Sequence, residues 1–124
     1  MASKKKKIYH FPIKSEEHFL EVTSREDGPL VIIDAHLDWC GPCIPMESNY
    51  PTIWFSHEDP ENRLSFWQCN ENHMPEELRE KLKLNCQPRF LFYRNGKLQR
   101  QIEGAKYTEI VKAIDDFIPE QPDD

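Results

Sequence analysis

Apolar residues fall into short clusters along the chain, and five of these clusters have the length and bounding residues of β-strands. The run Leu30–Ala35 is apolar except for Asp34, which is typical of a strand buried on both faces. Asn95-Gly96 lies between the last two clusters and predicts a tight hairpin. The predicted strands are 8–11, 30–35, 64–69, 89–93 and 97–102.

Other segments repeat apolar residues every three or four positions, which predicts helices that pack one face on a sheet. Ser15 precedes two glutamates and predicts a capped first helix that ends near Arg25. A second, long helix is expected to follow Cys43 and to run to about His57, with a bend at Pro51. A loop over 59–62, a helix over 75–84 and a last helix that Pro119 stops complete the pattern.

The resulting order, β-α-β-α-β-α-β-β-α, predicts an α/β fold in which helices flank a central mixed sheet. A chain of 124 residues has room for one domain, and no internal repeat divides it. We expect that domain to occupy residues 8–118, between a basic tail at 1–7 and an acidic tail at 119–124.

Composition and charge narrow the class of protein. The 38% of hydrophobic residues can fill a core without disulfide bonds, which excludes a disulfide-rich miniprotein. The net charge of −6 argues against nucleic acid as the main ligand. No apolar run approaches the roughly 20 residues that span a bilayer, so no membrane association is expected. No apolar segment follows Lys4–Lys7, so we expect a solvated tail there and no secretory signal.

The segment Cys40-Gly41-Pro42-Cys43 lies where a buried strand gives way to a helix. In a chain without an export signal, a close cysteine pair is more often catalytic or metal-binding than structural. At a helix N-terminus, unpaired N–H groups favour a thiolate, so the pKa of Cys40 is expected to be lowered. Cys43, one turn deeper, can close a disulfide with Cys40. Trp39 supplies a flat apolar rim for an extended peptide.

A zinc half-site is the alternative interpretation of the same cysteine pair. Thiolate-bound zinc requires four ligands, whereas Cys69 and Cys86 stand apart and do not form a second close pair. His36 could replace one of the missing ligands. The redox interpretation requires no metal and no cofactor.

The chain resembles the thioredoxin family over roughly residues 8–118. The motifs that carry the resemblance share the order and spacing found in thioredoxins. They are Asp34, Asp38-Trp39-Cys40-Gly41-Pro42-Cys43, Gln87-Pro88, Phe90-Leu91-Phe92, Asn95-Gly96-Lys97 and Gly104-Ala105.

This resemblance implies a thioredoxin fold and a role for each matching residue. Cys40 would attack a disulfide and Cys43 would resolve the mixed disulfide. Asp34 would lie beneath the dithiol with a raised pKa and accept a proton from Cys43; the alternative is an ordinary strand-end aspartate. Pro88 would be a cis-proline facing the disulfide, unless it is a plain trans loop proline. The resemblance also predicts a substrate-contacting set, which is Trp39, Gly41, Pro42, Gln87, Pro88 and Arg89.

Some positions depart from the usual family pattern. Arg89 follows the proline where threonine is common, and we expect its charge beside the groove to favour an acidic partner. Gln68 stands near the position of a lysine that commonly partners the buried aspartate. Cys86, two residues before Pro88, could form mixed disulfides or simply fill a small, half-buried apolar position.

The run 86–92 with Asn95-Gly96-Lys97 resembles, in particular, thioredoxin modules of cilia and flagella. These include light chains of axonemal outer-arm dynein. Two functions follow as expectations: a light chain bound to a dynein heavy chain in the axoneme, or a cytoplasmic thioredoxin that reduces many protein disulfides.

Overall fold

A computed structural model describes residues 8–121, and its centre is a five-stranded sheet. The strands lie in the order β1-β3-β2-β4-β5, with β1, β2 and β3 parallel and β4 antiparallel to both of its neighbours. Their bounds are His10–Pro12 (β1), Leu30–His36 (β2), Leu64–Asn70 (β3), Arg89–Arg94 (β4) and Lys97–Glu103 (β5). The mixed sheet flanked by helices confirms the predicted fold class. The tail predicted at 1–7, and residues 122–124 of the other tail, lie outside the described residues.

Six α-helices cover the described sheet. Side chains alternate along β2, so Leu30 and Ile32 pack with α2, α3 and α6, whereas Val31 and Ile33 pack with α1 and α5. Asp34 follows Leu30 and Ile32 on the same face of β2, so its side chain points to the side of the sheet that carries α2. The bounds are Glu16–Thr23 (α1), Ile44–Glu47 (α2), Asn49–Phe55 (α3), Pro60–Arg63 (α4), Glu76–Leu82 (α5) and Tyr107–Phe117 (α6).

The predicted long second helix is interrupted, and the interruption falls before Pro51 rather than at it. Helix α2 ends at Glu47 and α3 begins at Asn49. Pro51 has no N–H to donate to the carbonyl of Glu47, and its ring crowds that carbonyl. The helix is therefore broken one turn ahead of the proline, leaving α2 only four residues long.

Two turn predictions had different outcomes. The segment predicted as a loop at 59–62 overlaps α4, because Pro60 suits a first helical turn and the Arg63 guanidinium donates to the Glu58 carbonyl at 2.7 Å. The hairpin at Asn95-Gly96 is confirmed. Both residues have positive φ angles, 55° and 76°, as a two-residue hairpin turn of type I′ requires.

Candidate dithiol site

The two cysteines line a groove of about 290 Å³ at one end of the sheet. Cys40 is half-buried in this groove, whereas Cys43 is buried. Four of the residues predicted to contact substrate also line the groove: Gly41, Pro42, Gln87 and Pro88. The remaining lining residues are His36, Ile44, Pro45, Asn85, Cys86 and Ala105.

The turn that leads into α2 fixes the position of Cys40. The backbone N–H groups of Cys40 and Gly41 both donate to the Leu37 carbonyl, at 3.2 and 3.1 Å. Gly41 has a φ of +71°, a left-handed conformation that side chains disfavour. The turn therefore holds the Cys40 side chain at the mouth of the groove.

The expectation of a lowered Cys40 pKa is wrong for this arrangement. The N-cap of α2 is Cys43, so Cys40 lies outside the helix and gains little from its short dipole. The thiol of Cys86 lies 2.8 Å from the Cys40 sulfur and accepts its hydrogen bond. This neighbour, together with desolvation, raises the pKa of Cys40 to about 11.

Asp34 lies beneath Cys43, where the resemblance placed it. Its Oδ2 accepts the Cys43 backbone N–H at 2.7 Å, and its side chain is buried, with 2% of the residue exposed. Its other oxygen, Oδ1, is also buried and has no hydrogen-bond partner among the described residues. Burial raises the pKa of Asp34 to about 6, although the Cys43 N–H opposes the shift. The direction of this shift agrees with the prediction.

The Cys43 thiol shares this low-dielectric environment. Burial raises its pKa, and the negative charges of Asp34 and Glu47 raise it further. Gln68 lies beside Asp34 in the register of β2 and β3, so the lysine position of the family is occupied by an uncharged side chain. Asp34 therefore has no cation opposite it at that position.

Pro88 lines the groove, but its peptide bond is trans, since no peptide bond within residues 8–121 is cis. The cis-proline implied by the resemblance is thus incorrect for this structure. A trans X–Pro bond is favoured by about 0.5–1 kcal/mol unless the surroundings select the cis form. Here the Pro88 carbonyl accepts the Gly104 N–H at 2.7 Å, which fastens the segment to the end of β5.

Arg89 does not reach the groove, and the prediction of a charged rim is wrong. It is buried, and its Nη1 donates to the Leu82 carbonyl and to the Gln101 Oε1, both at 2.9 Å. The reason is strand alternation: Arg89 faces the same side as Leu91, and Leu91 packs in the core cluster that contains α1 and α5. Trp39 is 75% exposed and lies next to the groove rather than in its lining.

The thioredoxin family model matches residues 10–116. This chain belongs to the thioredoxin family. A mouse relative, thioredoxin domain-containing protein 6, is 31% identical over 92% of this chain, which spans 33% of that protein's length. The Dynein 14 kDa light chain of the flagellar outer arm of Chlamydomonas reinhardtii is 27% identical over 77% of this chain and 70% of its own length. Thioredoxin F1 of Arabidopsis thaliana chloroplasts is 26% identical over 81% of this chain and 54% of its own length.

Solved thioredoxin structures share the fold of this family member. A thioredoxin from Nicotiana alata aligns with a TM-score of 0.69 at 20% identity, over 95% of this chain and 100% of that chain. A thioredoxin from Plasmodium falciparum aligns with a TM-score of 0.64 at 24% identity, over 86% and 97% of the two chains. At such identities the similarity establishes the architecture and not the activity.

The structure of this family member brings further residues to the site, and the sequence alone does not place all of them there. Asn85 and Ala105 line the groove, and no motif singled out Asn85. His36, which the sequence offers beside the cysteine pair as a possible zinc ligand, also lines the groove. Burial lowers its pKa, and its Nδ1 has no partner in the described part of the chain. The sequence marks Cys86 as a thiol that could form mixed disulfides, but its contact with Cys40 joins two loops that are distant in sequence.

Two further observations concern metals and membranes. No group of three His, Cys, Asp or Glu side chains between residues 8 and 121 is arranged to hold a metal ion. None of the helices described here has the length and apolar character that crossing a bilayer requires.

Proposed function

We propose that this thioredoxin exchanges protein disulfides through Cys40 and Cys43. The observation that carries the proposal is the unequal placement of the two thiols. Cys40 lies at the mouth of the groove, while Cys43 is buried with its N–H bound to Asp34. A substrate disulfide can reach the first sulfur but not the second, so attack and resolution are divided between the two residues.

The exchange proceeds in two displacements. The Cys40 thiolate attacks one sulfur of a substrate disulfide, and the other substrate sulfur leaves as a thiolate. Cys43 then attacks the Cys40 sulfur and releases the second substrate thiol. Asp34 is suited to accept the Cys43 proton, because its carboxylate is buried beside that residue with one unpartnered oxygen.

Reduction of a protein disulfide, with dithiothreitol as electron donor, tests this assignment. We expect Cys40→Ser to abolish the reaction and Cys69→Ser, on the opposite face of the sheet, to retain it. Circular dichroism would establish that both variants fold. A folded Cys40→Ser variant as active as the unmodified protein would contradict the proposal.

We further propose that this thioredoxin serves as a light chain of outer-arm dynein in cilia or flagella. The support is its similarity to the algal outer-arm light chain, 70% of whose length it covers. A general protein-disulfide reductase is the second candidate, favoured by the similarity to Thioredoxin F1. In the first case the partner is permanent, and in the second each contact lasts for one exchange.

A pull-down from ciliated cells under reducing conditions distinguishes the two functions. The bait is the unmodified protein or the Cys40→Ser/Cys43→Ser variant. For a light chain, we expect both baits to retain dynein heavy chain equally, because binding does not require exchange. A parallel pull-down without reductant tests the other function: recovery of many proteins by the unmodified bait alone, as adducts that dithiothreitol then releases, would favour the general reductase.

A further inference from the structure

Cys86 has a position in the groove that the two-cysteine exchange does not explain. Its sulfur lies 2.8 Å from the Cys40 sulfur, which is about 0.8 Å longer than a disulfide bond. Both sulfurs line the same groove. Unlike Cys43, Cys86 is exposed. The thiol that accepts the hydrogen bond of the attacking cysteine is therefore that of Cys86.

The loop that carries Cys86 is held in place by its neighbour Asn85. The Asn85 Oδ1 accepts the Gln87 N–H at 2.9 Å, which forms a local turn around Cys86. The Asn85 amide donates to the Glu103 carboxylate of β5 at 3.1 Å. The loop is thus tied to the sheet on one side of the groove, and the turn at Leu37 fixes Cys40 on the other.

We propose that Cys86 is a second resolving cysteine, which competes with Cys43 for the mixed disulfide on Cys40 and closes a Cys40–Cys86 disulfide. This inference rests on the proposed exchange activity. It changes the expected behaviour of a Cys43→Ser variant, which would no longer retain the substrate covalently bound on Cys40.

The steps balance without an added oxidant, because the substrate disulfide takes up both electrons. Cys40 attacks R–S–S–R′, the Cys40–S–S–R bond forms, and R′–S⁻ leaves and is protonated. Cys86 then loses its proton and attacks the Cys40 sulfur, and R–S⁻ leaves and takes up a proton. The products are two substrate thiols and one intramolecular disulfide, so the protein has lost two hydrogen atoms.

Three variants test the proposal: Cys43→Ser, Cys43→Ser/Cys86→Ser, and the matched control Cys43→Ser/Cys69→Ser. Each reduced protein is mixed with 5,5′-dithiobis(2-nitrobenzoate), and intact mass and peptide mapping follow the adduct on Cys40. We expect Cys43→Ser and the control to lose the adduct at least about tenfold faster than Cys43→Ser/Cys86→Ser, because the resolving thiol is held against its target. Their product should be lighter than the reduced protein by two hydrogen atoms and should contain a Cys40–Cys86 peptide link.

Equal lifetimes of the adduct in Cys43→Ser and Cys43→Ser/Cys86→Ser would overturn the proposal and leave the exchange activity intact. If the unmodified protein gave only Cys40–Cys43 after one turnover, the competition would also be excluded. Failure of Cys43→Ser/Cys86→Ser, which lacks both resolving thiols, to form an adduct on Cys40 would overturn both this inference and the proposed function. Circular dichroism of each variant separates these outcomes from misfolding.

Discussion

At the scale of single residues, Asp34 is a carboxylic acid whose buried environment disfavours its charged form. Its pKa rises from 3.8 to about 6 on burial, so the folded protein binds the proton more tightly than the unfolded chain. Stability is therefore lost as the pH rises from about 4 to about 6, and the loss is complete above that range. A shift of this size corresponds to about 3 kcal/mol.

We predict that Asp34→Asn raises the free energy of unfolding at pH 7 by up to about 3 kcal/mol and leaves it nearly unchanged below pH 4. The amide oxygen can still accept the Cys43 N–H, so the fold is retained. The same variant should slow the resolving step, since it cannot accept a proton. Urea unfolding at several pH values and stopped-flow exchange would measure the two effects.

Asp38 is exposed, so Asp38→Asn serves as the matched control for Asp34→Asn. It should change the free energy of unfolding by less than about 0.5 kcal/mol. A less stable Asp34→Asn variant with an unchanged exchange rate would show that Asp34 is structural. The proton-transfer role would then be wrong.

Cys86 supports a second prediction at this scale. Removing its thiol in Cys86→Ala should let the pKa of Cys40 fall from about 11 towards its ordinary value of 9.0. A lower pKa makes the Cys40 thiolate more abundant but makes each thiolate a weaker nucleophile. The first effect is the larger one, so we expect Cys40 to be alkylated about tenfold faster at pH 7.5. Iodoacetamide labelling with peptide mapping gives this rate, and Cys69→Ala controls for loss of a thiol elsewhere. An unchanged rate would mean that Cys86 does not control the Cys40 proton.

At the scale of elements, Arg89 connects β4 to the end of α5 and to β5. Its guanidinium satisfies the Leu82 carbonyl and the Gln101 side chain, and lies 3.7 Å from the Glu103 carboxylate. A buried arginine with these partners joins three elements at the base of the Cys86 loop. Arg89 therefore stabilises the packing of these elements and is not placed to contact substrate.

We therefore predict that Arg89→Met lowers the free energy of unfolding by about 3 kcal/mol, because it leaves a buried carbonyl without a donor. The control is Arg100→Met, which breaks an ion pair with Asp116 that is 40% exposed on both sides and should cost at most about 1 kcal/mol. Chemical denaturation compares the two. Equal losses would place Arg89 at the surface, contrary to the structure.

The elements that could be predicted from the sequence are those whose signals are local. Strand β2 follows from an apolar run that only Asp34 interrupts, and the β4–β5 hairpin follows from Asn95-Gly96. The first helix follows from its Ser15 cap, which accepts the His18 N–H at 3.0 Å. The orientation of Arg89 could not be read in this way, because residues 89–93 of β4 are buried on both faces and the sequence does not show which face Arg89 takes. The contact between Cys40 and Cys86 joins positions 46 residues apart and has no local signal at all.

At the scale of the whole molecule, the two most exposed of the described aromatic side chains lie in different parts of the fold. Trp39 is 75% exposed beside the groove, and Phe55, at the end of α3, is 71% exposed and packs edge-on against Tyr9 at 5.5 Å. Trp54, by contrast, is half-buried and lies against Phe66 of the core. A permanent partner that uses α3 would therefore meet Phe55 rather than Trp54.

We predict that one of Trp39→Ser and Phe55→Ser weakens the retention of dynein heavy chain about tenfold or more, as loss of a central aromatic anchor does at protein interfaces. The other variant should resemble the control Leu20→Ser, which removes a 50% exposed side chain from α1. Quantitative pull-down under reducing conditions identifies the docking side. Full retention by all three variants would place the partner elsewhere.

The meeting of Cys40 and Cys86 across 46 positions of the chain also has a topological consequence. A bond between them would turn the segment from α2 through β3 to α5 into a closed ring from which both chain ends emerge. Such a ring persists in denaturant. It lowers the conformational entropy of the unfolded chain, which stabilises the folded state by about 4 kcal/mol. It also holds two fragments together after a single proteolytic cut inside the ring. A bond between Cys40 and Cys43 encloses too few residues for a protease to cut within. The choice of partner by Cys40 would therefore decide whether a nicked molecule remains in one piece until it is reduced.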